Sequence, residues 1–158
     1  IKQTKLGKVE NIMTRQLITF HLGDQSFGLD IMAIREIRAW TPATRLPHVP
    51  SYVAGVVNLR GIVLPVMDLA ARLGWNPASP TERHVIIVVE IAGQLRGLIV
   101  DAVSDIVTVQ GEEIQPPPST GDEAVIPYLE GLVALDDRMV MILDLPGLTG
   151  DIQIAEAA

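Results

Sequence analysis

The feature that most constrains this chain is that it repeats itself. Tyr52–Leu69, YVAGVVNLRGIVLPVMDL, returns 76 positions later as Tyr128–Leu145, YLEGLVALDDRMVMILDL. Pairing the 18 positions without gaps gives six identities: Tyr52/Tyr128, Gly55/Gly131, Val57/Val133, Leu59/Leu135, Asp68/Asp144 and Leu69/Leu145. Chance would give roughly one or two, so the two stretches are copies. A second match, Gln25–Ile37 on Gln94–Ile106, has five identities in 13 pairs, including Gly28/Gly97 and Ile37/Ile106, and sets Glu36 opposite Asp105. The offset is 69 in this match and 76 at the hairpin, so the second copy carries 7 extra residues. They fall in Gln110–Asp122, where Pro116-Pro117-Pro118 predicts an exposed, stiff loop.

Within each copy the pattern is that of short strands. Leu17–Leu22 alternates apolar and polar, Gly23-Asp24 is a tight turn and Gln25–Asp30 returns. Ile31–Ile37 reads as a strand after a bend or as one helical turn, and Trp40–Pro50, with three prolines, as a loop. The 52–69 stretch is a hairpin that reverses at Asn58-Leu59-Arg60-Gly61. Gly tolerates positive φ there, and Asn can bond its own backbone. Asp68–Gly74 has an Asp start and a Gly stop, the signature of a short helix. The second copy continues with Val85–Ile91, a turn at Ala92-Gly93 and Gln94–Val100.

Five short strands in roughly 65 residues predict a small all-β barrel, first about 15–75 and then about 83–147, with the C-terminal residues packing back on the first. A barrel that small has a marginal core alone, so the two are expected to share one and leave a groove between them. Residues 1–14 read as a flexible N-terminal tail or cloning remnant, and 151–158 as a C-terminal tail.

No chemistry stands out. Without cysteine there is no disulfide, thiolate zinc site or Cys nucleophile. His21, His48 and His84 are scattered, and no phosphate-cradling glycine motif occurs, so neither metal nor cofactor is expected. A net charge of −7 with 4% aromatics argues against nucleic acid. The repeated Asp68 and Asp144 raise a bilobal, aspartate-based hydrolase, a carboxylate dyad at the lobe interface. Both sit in Asp-Leu at a strand end, however, and the simpler reading is that each caps the next turn of chain. In the turn the copies part company, Arg60-Gly61 against Asp136-Asp137, as a contact added to one copy would look.

LGDQSFGLDIMAIREI, GVVNLRGIVLPVMDL, LIVDAVSDI and YLEGLVALDDRMVMILDL, in this order and spacing, resemble the CheW family of bacterial chemotaxis coupling proteins over about residues 16–148. The resemblance implies a single domain over 15–150, built of two SH3-like five-stranded barrels, with no enzymatic activity. It implies an adaptor, cytoplasmic and held at receptor arrays on the inner membrane through its partners. Those partners are the cytoplasmic tip of a methyl-accepting chemotaxis receptor and the regulatory domain of the histidine kinase CheA. By resemblance, receptor contact is expected at Ile34, Glu36, Ile37, Gly55, Asn58, Leu59, Arg60, Val103 and Ile106. Kinase contact is expected at Arg45, Leu46, Val49, Arg60, Gly61 and Ile62. CheA and CheV contain this domain too. With no kinase or receiver segment beside it, a free-standing adaptor is expected, and a fragment of such a protein is the alternative.

Overall fold

The structure, a computed structural model, describes residues 14–77, 79–118 and 125–149. The expected tails lie outside these residues, apart from Thr14, which opens the first strand. Ten strands run in order: β1 (Thr14–Leu22), β2 (Gln25–Asp30), β3 (Ile34–Ala39), β4 (Val53–Leu59), β5 (Ile62–Asp68), β6 (Val85–Ile91), β7 (Gln94–Val100), β8 (Ala102–Gln110), β9 (Leu129–Leu135) and β10 (Arg138–Leu143). Two short helices, α1 (Leu69–Arg72) and α2 (Leu145–Thr149), come after β5 and β10. Asp68 caps α1, its carboxylate accepting from Ala71 N at 3.3 Å, which is the capping role read from the sequence. Ile31–Ile37 is both of the things expected of it. A 3-10 turn over Ile31–Ala33, capped by Asp30, runs straight into β3.

The strands form two five-stranded, SH3-like units, ordered β8-β1-β2-β10-β9 and β3-β6-β7-β5-β4. These are not the contiguous barrels 15–75 and 83–147. Each sheet takes two strands from one copy and three from the other. The exchange happens at two bends of the chain. After β2 the Asp30-capped turn carries the chain out of the first sheet, and after β7 the bend at Asp101 does the same at the equivalent point of the second copy. The halves are then stitched by four ladders: antiparallel β1–β8 and β3–β6, parallel β2–β10 and β5–β7.

The parallel ladders explain one repeated glycine. Gly28 stands opposite Ile142 and Gly97 opposite Val66. A Cβ on Gly97 would lie 3.2 Å from Val66 Cγ2 across the parallel ladder and 2.9 Å from Ile86 Cγ2 of the antiparallel neighbour β6, and one on Gly28 3.1 Å from Val140 Cγ1.

Three cores result. Leu17, Val109, Val133, Val140 and Ile142 fill the first sheet, and Val57, Leu59, Leu64, Val66, Ile86, Val88 and Ile99 the second. The largest lies between the sheets, where Phe20, Phe27 and Leu29 meet Met67, Ile87 and Leu98 with Leu69, Leu73, Leu145 and Leu148 of the helices. The Arg72 guanidinium sits 4.5 Å from the ring centres of both Tyr52 and Tyr128, the two hairpin-foot tyrosines of the repeat. It also donates to Tyr128 Oη and to the Leu148 carbonyl, each at 2.8 Å.

Candidate docking surface

The edge strands β3 and β8 hold repeat-equivalent positions at the ends of different sheets. Each carries a bulge at the same place: Arg35 is the extra residue against β6, and Ser104-Asp105 oppose Thr19 of β1. A bulge re-aims the side chain beside it. Glu36 is thereby turned toward the β4–β5 hairpin, where Arg60 Nη2 reaches Glu36 Oε1 at 2.7 Å, with Arg38 3.8 Å away. Asp105 is turned toward the β9–β10 hairpin and meets Arg138 at 3.1 Å.

The two carboxylates are held differently. Hydrogen bonding from Arg60, then its charge and that of Arg38, keeps Glu36 below the usual carboxylate range. For Asp105 the leading cause is the Thr19 hydroxyl, which donates to the carboxylate, with Arg138 second. Thr19 is fully buried and in turn accepts from Asp105 N at 3.2 Å, so it fills the bulge from below.

The hairpin tip is a tight reversal. Arg60 and Gly61 both adopt positive φ, 50° and 87°, and Asn58 Oδ1 accepts from Gly61 N at 2.7 Å. The sequence indicated the roles of glycine and asparagine there. It did not indicate that Arg60 itself would be left-handed, projecting a 70% exposed side chain from a fixed backbone.

The residues expected at the receptor surface divide into two groups. Ile37 and Ile106 are exposed, 42% and 55%, while Ile34 and Val103 are half-buried against the core shared by the sheets. Asn58 and Arg60 are exposed at the tip. Leu59 and Gly55 do not belong with them. Leu59 is 1% exposed within the core of its sheet, because alternation along β4 points it inward. Gly55 is buried under the loop after β3, where Thr44 bridges to Val56, and a Cβ there would lie 2.1 Å from the Thr44 carbonyl oxygen.

Of the residues expected at the kinase end, Arg45, Arg60, Gly61 and Ile62 are exposed, and Leu46 and Val49 are half-buried. Gly61 and Ile62 line a cleft of about 320 Å3 with Thr44, Val56, Val57, Asn58 and Val63. Sequence reading missed Val63, the most exposed apolar residue of this end at 71%. The available signal was an Ile-Val pair directly after the turn with no polar residue between.

Among the described residues no group of His, Asp or Glu is arranged to hold a metal, and no helix is long and apolar enough to cross a membrane. A family model described as a CheW-like domain matches residues 16–153. The chain belongs to the CheW-like family. It is 52% identical over 144 residues to a protein of Rhizobium etli named probable chemotaxis protein CheW, covering 91% of this chain and 92% of that one. It is also 52% identical over 131 residues to chemotaxis protein CheW of Rhizobium meliloti, covering 83% and 84%. The crystal structure of scaffolding protein TtCheW from Thermoanaerobacter tengcongensis superposes with a TM-score of 0.78 at 35% identity, over 86% of this chain and 88% of that one. The fold is that of a CheW-like chemotaxis scaffold.

Proposed function

We propose that this CheW-like protein is a non-enzymatic adaptor that couples the cytoplasmic tip of a methyl-accepting chemotaxis receptor to the regulatory domain of the histidine kinase CheA. It would act in the cytoplasm, at receptor arrays on the inner membrane, without entering the bilayer itself. One observation carries the reading. β3 and β8, edge strands of different sheets, each present an exposed isoleucine beside a carboxylate–arginine pair, and both flank the shared core. A helical hairpin needs such apolar anchors, with a few charges to set its register.

Ile34, Glu36, Ile37, Asn58, Arg60, Val103 and Ile106 make the receptor contact in this reading, with Gly55 and Leu59 supporting them from beneath. Arg45, Leu46, Val49, Arg60, Gly61 and Ile62 make the kinase contact, joined by Val63. Arg60 serves both, since it stands where the tip and the β3 edge meet.

Calorimetric titration against a CheA regulatory domain tests the kinase half, and saturable one-to-one binding is expected. Absence of heat at high micromolar concentration overturns it. For the receptor half, the Arg60→Ala protein should fold normally yet lose receptor control of the kinase in a reconstituted array.

A further inference from the structure

From the reciprocal exchange of strands we infer that a second copy of this chain is a partner for it: two copies interlock by trading half-chains about the connection between Gly74 and His84. The inference does not depend on the function proposed above.

The first half runs from β1 to α1 and the second from β6 to α2. Inside a half, strand pairing is confined to the four hairpins β1–β2, β4–β5, β6–β7 and β9–β10. Every other ladder joins one half to the other. Neither half holds a complete sheet, so each needs the other to pair its edges and to cover Leu29 or Leu98. That requirement is met equally by a half on the same chain or on another. The shared core and the Arg72 stack between Tyr52 and Tyr128 also cross between halves, and they would be rebuilt unchanged in the exchanged pair.

What distinguishes the two states is the connection alone. Trp75 is tied down, its amide donating to the Ala70 carbonyl and its ring 5.7 Å from Phe27. At the far end Trp40 N donates to the His84 carbonyl. Between them Asn76, Pro77, Ser79, Thr81, Glu82 and Arg83 are exposed. No cysteine is present to lock the halves covalently.

Because β5 runs parallel to β7 and β6 antiparallel to it, the connection leaves and re-enters at the same end of the sheet, across one intervening strand. Two strand spacings are only about 10 Å, so closure within one chain is easy and the monomer prevails when dilute. A connection this short corresponds to an effective concentration on the order of millimolar. Exchange therefore requires opening all four ladders and reclosing them in crowded solution, which makes the interlocked pair slow to form and slow to separate.

Complementation in full-length chains tests this. Leu29→Asp damages the first half and Leu98→Asp the equivalent site of the second, both at fully buried positions. Neither variant alone should give a cooperative thermal transition. Mixed in denaturant and refolded together, they should recover about half the parent amplitude in a two-chain particle, since one intact first half meets one intact second half. No recovery at any ratio overturns the inference. Refolding the parent at rising concentration decides independently of whether the variants are as damaged as intended. A species of twice 17.1 kDa that persists on dilution supports the inference, and monomer throughout the range refutes it.

Discussion

Asp105 receives Arg138 at 3.1 Å beside the edge strand of one sheet, in the place where Glu36 receives Arg60 beside the edge strand of the other. Repeat alignment makes Asp136, not Arg138, the counterpart of Arg60. The charge that left the second hairpin tip has thus moved two residues along the strand and still reaches the carboxylate. The tip differs between the copies, yet the bridge from hairpin to edge strand is common to both. An exposed bridge of this kind adds little stability. Its consequence is placement, the holding of each hairpin against its edge strand.

Arg60→Ala should leave the melting temperature unchanged within error, because the side chain is exposed and its partner Glu36 retains Arg38 nearby. Affinity for the receptor tip or the kinase domain should fall about tenfold, the scale of one moderate interface residue. Calorimetry read beside differential scanning separates the two effects. A large drop in melting temperature would contradict this.

Leu59→Ala and Val63→Ala should behave oppositely although both belong to one hairpin. Leu59 is a core residue, and its truncation should cost about 2–5 kcal/mol in urea denaturation. Val63 is 71% exposed, so its truncation should change stability by less than about 0.5 kcal/mol while weakening kinase binding.

Gly55→Ala should be more damaging than Gly97→Ala. At Gly55 the new Cβ would meet a backbone oxygen at 2.1 Å, with φ at +141°, and backbone cannot easily yield. At Gly97 the nearest atom is the Ile86 Cγ2 methyl at 2.9 Å, which can shift. Losses of about 3 kcal/mol or more against about 1–2 kcal/mol are expected from chemical denaturation.

Thr19→Val removes the leading cause of the depressed Asp105 pKa, so that carboxyl should titrate higher, toward the ordinary range, in an NMR pH series. The sign for stability comes from the same depression. A carboxylate depressed in the folded state stabilises above its unfolded pKa of about 4, and the contribution is lost as pH falls through the folded value. In the Thr19→Val protein the acid-side loss of stability belonging to Asp105 should therefore shrink. An unchanged Asp105 titration would remove Thr19 from this role.

Much of this was legible in the residues. Period-two alternation, Gly-containing turns and the Asp68 cap mark the elements closely, since each is decided by neighbours a few positions away. Which strands lie side by side is not. β2 pairs with β10 because of a turn at Ile31–Ala33 whose direction no local pattern encodes, and the contiguous-barrel expectation failed there. At the docking surface the sequence could nominate Leu59 beside Arg60. Only the pleat, placing one inward and the other on a left-handed turn, separates a core residue from an exposed one.

The nesting of the two sheets also orders events in time. The second sheet is drawn from residues 34–100, whereas the first needs both β1 at the start and β10, ending at Leu143. A chain emerging from the ribosome can complete the inner sheet while the β1–β2 hairpin, made first, still has both edges bare. The strands that cover it arrive over the next forty or so residues, roughly two to eight seconds at ordinary rates of synthesis. Of the described hairpins the earliest-made is the last to find its neighbours, and for that interval its two open edges are the most vulnerable part of these sheets.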